Sequence, residues 1–120
     1  MKLIDIVNAR KVIDSFADRE NVCAHLAYWM TKFVVKTSGD YDFYADSLNK
    51  AFRTYAIQND KGEFVIPEGA INEFNAEVQK LNETEAEDPG IRFSLSELSS
   101  ELKLSMKQIY PLLDFIDEDK

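Results

Sequence analysis

The sequence predicts a mainly α protein with a minor β component, built on a long antiparallel helical hairpin. Two apolar ladders carry this prediction, because each keeps the spacing of one helix face. The first comprises Tyr44, Leu48, Ala51 and Tyr55, and the second comprises Ile71, Phe74, Val78 and Leu81. Between them, Asn59-Asp60-Lys61-Gly62 is a turn signal. We therefore expect two helices that pack along one seam.

The chain before the first ladder is also predicted to be helical. A first helix is expected over residues 4–18, with Asp5 as its N-cap. Its apolar positions are Ile6, Ala9, Ile13 and Phe16. A second apolar pattern begins near Val22 and continues past Ser38-Gly39 with a small slip in phase. Glycine costs about 1 kcal/mol inside a helix relative to alanine. Two alternatives stay open: one long helix over residues 22–57, or two helices separated at Ser38-Gly39.

Two short β-prone segments flank the next predicted helix, which covers residues 68–85. They are residues 64–66 and 91–93, and they are candidates for a two-stranded ribbon. Such a ribbon is marginal alone and must pack on the helices. Pro67 suits the first turn of the helix between them, and Asp88-Pro89-Gly90 is a stop signal after it.

Residues 96–116 resemble a helix-turn-helix corner. Ser105 and Gln108 have the spacing of a capping box at the start of its second helix. The apolar residues expected to face inward are Leu98, Leu102, Ile109 and Leu112. This pattern is typical of two helices that meet at a steep angle.

DNA recognition by this corner is the alternative function that the sequence offers. Its candidate contact residues are Lys103, Lys107 and Gln108. Acidic side chains surround them, namely Glu97, Glu101, Asp114 and Asp117. Pro111 also interrupts the second helix, because proline lacks a backbone donor. A structural corner that packs on the hairpin is the favoured interpretation.

Composition predicts one domain over residues 1–120, with 45% hydrophobic residues and a formal charge of −8. Residues 40–90 hold twelve acidic and four basic side chains. Such a surface repels nucleic-acid phosphate and suits a basic partner, or serves only solubility. The candidate partner-binding residues are Glu73, Glu77, Glu83, Glu85, Glu87 and Asp88, together with Phe43.

Residue types that carry catalysis are sparse in this chain. Cys23 is the single cysteine and His25 the single histidine, and both are expected to pack rather than react. We expect no catalytic residues, no cofactor and no metal site. No apolar run reaches the roughly 20 residues that a transmembrane helix needs. A cytoplasmic, non-enzymatic protein is therefore predicted.

Aromatic residues are dense over residues 28–55, and one narrow seam cannot bury them all. Phe43, for example, lies off the seam that begins at Tyr44. Either the first helix covers this side, or an aromatic patch remains for a partner or for a homo-oligomer.

Four short segments carry a resemblance to a known group of proteins. They are residues 60–64 (DKGEF), 71–75 (INEFN), 91–93 (IRF) and 112–116 (LLDFI). Their order is similar to that in small proteins of unknown function encoded by tailed bacteriophages and prophages of low-GC bacteria. The resemblance spans about residues 26–118, and it implies an uninterrupted long helix. It also implies a phage accessory protein in the host cytoplasm, such as an inhibitor of a host nucleic-acid-binding protein or an assembly factor.

Overall fold

A computed structural model describes residues 1–117 and confirms the fold class, mainly α with minor β. Residues 118–120, the end of the predicted domain, lie outside the described residues. The α-helices are α1 (Leu3–Asp14), α2 (Ala24–Tyr55), α3 (Ile71–Asn82), α4 (Leu95–Glu101) and α5 (Met106–Ile109). The strands are β1 (Ile57–Gln58), β2 (Phe64–Val65), β3 (Phe93–Ser94) and β4 (Ile116–Asp117). Two 3₁₀ helices cover Glu68–Ala70 and Tyr110–Phe115.

The helix α2 is continuous over 32 residues, so the alternative of a split at Ser38-Gly39 is wrong. It extends about 48 Å at 1.5 Å per residue, in a molecule whose longest dimension is 53 Å. The Thr37 hydroxyl donates to the Phe33 carbonyl at 2.6 Å, and the Ser38 hydroxyl donates to the Val34 carbonyl at 2.7 Å. Carbonyl groups of the same helix therefore satisfy both hydroxyls.

The main hydrophobic core lies against the N-terminal half of α2. Its centre is Phe33, whose ring centroid lies 5.0 Å from that of Phe115 and 6.0 Å from that of Phe93. Helices α1 and α4 and the C-terminal 3₁₀ helix supply the other walls. The remaining buried members are Ile6, Ala9, Ile13, Phe16, Leu26, Met30, Ile91, Leu98, Leu102 and Leu112. A smaller cluster of Leu3, Val7 and Tyr44 continues the core along α2.

Beyond this core, α2 and α3 form an antiparallel hairpin that we call the arm (residues 44–82). The Tyr44 hydroxyl donates to Asn82 Oδ1 at 2.7 Å, and the Tyr55 hydroxyl donates to Glu77 Oε1 at 2.9 Å. The ring of Phe74 lies edge-on to that of Tyr55, with centroids 6.3 Å apart. These contacts confirm the predicted seam. It is thin, however, because α3 contains no buried residue.

The start of α1 differs from the prediction. Asp5 is not the N-cap, because the helix begins at Leu3 and the cap position belongs to Lys2, whose side chain makes no capping bond. The Leu3 N–H instead donates to the Thr84 carbonyl at 2.8 Å, and Lys2 forms a β-bridge with Glu85. A distant segment of the chain therefore satisfies the end of this helix.

The predicted pairing of residues 64–66 with residues 91–93 is wrong. Strand β2 pairs antiparallel with β1, and β3 pairs parallel with β4. The β1–β2 hairpin closes through five residues, whereas the predicted ribbon would have to close across the whole of α3. Loop closure costs more entropy as the loop lengthens. In addition, Phe93 is buried in the main core against Phe33, in the N-terminal half of α2, whereas β2 pairs with β1 beyond the C-terminal end of that helix.

The C-terminal corner contains the predicted helix, turn and helix. Ser105 Oγ accepts from the Gln108 N–H at 3.3 Å, and Gln108 Oε1 accepts from the Ser105 N–H at 2.9 Å, which confirms the capping box. The second helix is short. It has four α-helical residues before the chain tightens into the 3₁₀ helix that contains Pro111.

Alanine at two glycines is expected to change stability in opposite directions. Gly39 lies inside α2, and a Cβ there would meet no atom within 4 Å. Gly39→Ala should therefore raise the free energy of unfolding by about 0.5–1 kcal/mol. Gly62 has a φ of 81°, so Gly62→Ala should lower it by about 1–2 kcal/mol. Urea denaturation measures both values. A destabilised Gly39→Ala protein would show that α2 is not regular there.

Candidate functional site

Large apolar side chains are exposed at the far end of the arm, a surface that we call the tip (residues 57–73). Ile57, Phe64, Val65 and Ile71 are between 37% and 64% exposed. In the β1–β2 ladder Ile57 lies opposite Val65, and Phe64 lies opposite Gln58. Because successive side chains of a strand point to opposite faces, the hairpin exposes apolar groups on both faces.

The turn that supports the tip is built around Asn59. Its N–H donates to the Glu63 carbonyl at 2.8 Å, and its side-chain Oδ1 accepts from the N–H groups of Lys61 and Glu63, each at 2.9 Å. Gly62 supplies the positive φ, and the Gln58 amide donates to its carbonyl at 3.1 Å. The loop therefore holds β1 and β2 in a fixed register although each strand has two residues.

Acidic side chains surround these apolar groups. The tip contains four carboxylates, namely Asp60, Glu63, Glu68 and Glu73, and all four are exposed. Its basic side chain is Lys61, so the formal charge of residues 57–73 is four negative against one positive, or −3. An exposed apolar surface with this border favours a complementary surface of opposite charge.

The acidic residues predicted to bind a partner lie on two successive parts of the chain. Glu73 and Glu77 lie on α3, whereas the other four follow that helix. The Ala86 N–H donates to the Met1 carbonyl at 2.8 Å, so the segment after α3 runs beside the start of α1. Phe43 is exposed rather than covered by α1, and it lies on α2 outside the tip.

Four of these predicted residues already hold partners within the chain. Glu83 accepts from the Gln79 side-chain amide at 3.5 Å, and the other three contacts are shorter. Glu77 accepts from Tyr55, and this hydrogen bond raises the pKa of that phenol. The Glu85 carboxylate lies 2.6 Å from the amino group of Met1, which lowers the pKa of the carboxyl group. Asp88 forms an ion pair with Arg92. Of the predicted set, Glu73 is the member that lies in the tip.

The Asp88–Arg92 pair fastens the segment that leads into β3. Both guanidinium Nη atoms donate to the carboxylate, at 3.1 and 2.6 Å, and the Gly90 N–H donates to Asp88 Oδ1 at 2.8 Å. These bonds, that of Arg92 above all, lower the pKa of Asp88 to about 2. The Arg92 guanidinium carbon also lies 5.5 Å from the centroid of the Phe115 ring, at the edge of the core. Asp88 is therefore a structural group.

The structure places two of the three candidate DNA-contacting residues on the surface. Lys103 and Lys107 are exposed, whereas Gln108 is half-buried and its side chain closes the capping box. Residues 96–116 hold no further basic side chain. The α5 helix, with its four residues, is also short for an element that reads a groove.

The acidic side chains of α4 bind the start of α2. His25 Nδ1 lies 2.9 Å from both carboxylate oxygens of Glu97, and the Cys23 N–H donates to Glu101 Oε2 at 3.4 Å. A carboxylate at a helix N-terminus is favourable because it satisfies free N–H groups and the helix dipole. The single histidine and the single cysteine of the chain therefore lie at the joint between α2 and α4.

Within residues 1–117, no three His, Cys, Asp or Glu side chains converge as a ligand set for a metal ion. None of the described helices is both long enough and apolar enough to cross a membrane.

Comparison with known proteins adds no relative. The chain matches no protein-family model, and neither a curated protein nor a solved structure shows significant similarity to it.

The sequence analysis does not identify Ile57 as a residue of an exposed apolar surface. It assigns Phe64 and Val65 to a β ribbon and Ile71 to the helical seam. The last was placed on the buried seam, but 37% of it is exposed because α3 begins at that residue. A local signal for the hairpin was present. Asn59 and Gly62 stand between two short apolar segments, a pattern that predicts two paired strands rather than a simple turn.

The Asp88–Arg92 pair makes a pH-dependent contribution to stability. The pKa of Asp88 falls from 3.8 to about 2 on folding, so the contribution is present above about pH 4 and is lost as the pH falls through about 2. Asp88→Asn should lower the free energy of unfolding at neutral pH by less than about 1 kcal/mol, because the pair is exposed. This deficit should vanish toward pH 2.

Urea denaturation at several pH values measures that deficit. Glu87→Gln is the matched control, because Glu87 is the exposed neighbour and has no ion pair within residues 1–117. A deficit for Asp88→Asn that stays constant or grows at low pH would contradict the assignment.

Proposed function

We propose that this protein acts by binding another protein through the tip. The supporting observation is the set of apolar side chains exposed on both faces of the β1–β2 hairpin. The hairpin lies about 33 Å along α2 from the core residue Phe33, counting 22 residues at 1.5 Å each. Isolated two-stranded hairpins are marginally stable, so a partner that covers this one would bury apolar area and stabilise it.

The charge of the tip selects the class of partner. Its −3 charge favours a protein whose apolar recess is bordered by lysine or arginine. Nucleic acid is disfavoured as a direct ligand, since phosphate is attracted by basic groups. We propose therefore that the partner is a protein with a basic surface.

This partner class fits the phage interpretation. A phage accessory protein with an acidic, apolar tip would compete with nucleic acid for the basic surface of a host protein. It would thus act as an inhibitor without catalysing a reaction, and we propose this form of the function. A virion assembly factor would use the same kind of contact with a basic structural protein.

A photo-crosslinking experiment tests the use of the tip. The photoreactive analogue benzoylphenylalanine replaces Phe64 in one protein and the exposed Ser100 of α4 in a control protein. We expect a crosslinked partner from the position in the tip and none from the control position. The partner is then identified and purified, and its affinity is measured by calorimetry.

Two variants give the quantitative prediction. Phe64→Asp should weaken binding at least tenfold, which is about 1.4 kcal/mol. The double reversal Glu63→Lys with Glu68→Lys should also weaken binding and should reduce its dependence on salt. The control Val35→Asp changes an exposed apolar residue of α2 outside the arm and should leave affinity unchanged. Equal affinity for wild type and Phe64→Asp, or crosslinks of equal yield at both positions, would refute the proposal.

A further inference from the structure

A second exposed apolar surface lies on the C-terminal corner, and we call it the stripe (Met106, Tyr110 and Leu113). These side chains are between 55% and 89% exposed. Met106 and Tyr110 are one α-helical turn apart, and Tyr110 and Leu113 are one 3₁₀ turn apart, where side chains at i and i+3 align. All three therefore share one face, while Leu112 and Phe115 are turned into the core.

A charged residue lies beside each end of the stripe, and the two charges have opposite signs and lie on the same side of it. Lys107 follows Met106, and Asp114 follows Leu113. Around the helix axis, Lys107 is rotated by about 100° from Met106 in α5, and Asp114 is rotated by about 120° from Leu113 in the 3₁₀ helix. Both rotations have the same direction, so the two charges lie on the same side of the stripe. Both are exposed, and neither forms an ion pair within residues 1–117.

The residues around the stripe add further basic charge at its Met106 end and further acidic charge at its Leu113 end. A groove of about 190 Å³ lies beside Tyr110 and Leu113, and Asp5 and Asn8 of α1 form its far wall. This places a second carboxylate near the Asp114 end. At the other end, Lys103 is exposed in the turn before α5. One end of this surface is thus acidic and the other is basic.

We infer that the stripe is a self-association surface for a second copy of this chain, related by a two-fold axis that sets the two stripes antiparallel. With this axis, the sides that carry Lys107 and Asp114 lie next to each other in the two copies. The Met106 end of one stripe lies against the Leu113 end of the other. Lys107 of one copy then faces Asp114 of the partner subunit, and the same contact occurs twice. A parallel arrangement would move the charged flanks to opposite sides and leave all four charges unpaired.

The size of the surface sets the strength of the contact. A stable interface buries about 800 Å² on each partner, and three side chains with their charged neighbours cover less than that. The association is therefore weak and concentration-dependent. The charge pairs lie at the rim, where they fix orientation more than affinity. This inference uses no residue of the tip and is independent of the proposed function.

Sedimentation velocity on the untagged chain, from about 5 μM to about 1 mM, tests the inference. The weight-average mass should rise from the 13.8 kDa of one chain toward twice that value. Tyr110→Lys should abolish the rise, and Met106→Asp provides a second disruption of the same face. Circular dichroism verifies that both variants are folded, which their exposure favours.

Charge reversal tests the antiparallel arrangement. Lys107→Glu alone and Asp114→Lys alone should each raise the dissociation constant of the dimer at least fivefold, since each creates two like-charge contacts. The double variant Lys107→Glu with Asp114→Lys should restore it to within about twofold. Lys50→Glu, the same charge change on the arm, and Phe64→Asp in the tip should leave it unchanged.

Each contrary outcome overturns a stated part of the inference. A wild-type chain that stays at the mass of one copy at 1 mM refutes self-association. A dimer that persists in both Tyr110→Lys and Met106→Asp refutes the stripe as its surface. Single reversals that weaken the dimer without rescue by the double variant refute the antiparallel pairing.

Discussion

The structure depends on one constraint, which is that α2 is longer than the core that packs against it. The rings of Phe33, Phe93 and Phe115 fix its N-terminal half, and α1 packs into the same core. The helix then continues without a break past the edge of the core to Tyr55. Beyond the cluster that Leu3 and Val7 of α1 form with Tyr44, the remaining turns are covered by α3, which buries no residue completely. An arm with a thin seam and exposed apolar groups at its end is the consequence.

This constraint also explains which carboxylates bind groups within the chain and which remain exposed to solvent. Near the core, carboxylates serve the fold, because chain segments there meet at helix ends and loops that need acceptors. Glu101 binds the N–H before α2, Glu85 pairs with the chain start, and Asp88 holds Arg92. At the tip, residues 1–117 place no second layer of structure over the hairpin. Charge and apolar area there remain on the surface, which is why the proposed contact with a partner is placed at the tip.

Much of the fold could be predicted because its signals are periodic or local. The seam from Tyr44 to Tyr55 repeats at helix spacing, and the capping box needs only Ser105 and Gln108. The errors concern contacts between distant segments. Pairing of Phe93 with Ile116, or of Leu3 with Thr84, depends on which elements the core brings together. The acidic residues of the candidate site were also hard to predict, because their roles depend on contacts with other segments of the chain. Composition indicated a charged surface, but the intramolecular partners that occupy Glu77, Glu85 and Asp88 become visible only in three dimensions.

The continuity of α2 is the claim on which both the arm and the placement of the tip depend, and a spin-label distance tests it most directly. Nitroxide labels at Tyr28→Cys and Thr54→Cys, with Cys23→Ser to remove the native thiol, would stand on exposed positions of α2. The 26 residues between them span about 39 Å between Cα atoms at 1.5 Å each. Double electron–electron resonance should therefore give one narrow distribution near that separation. A broad distribution, or one centred about 10 Å or more below it, would show that the helix breaks at Ser38-Gly39 and would contradict the account.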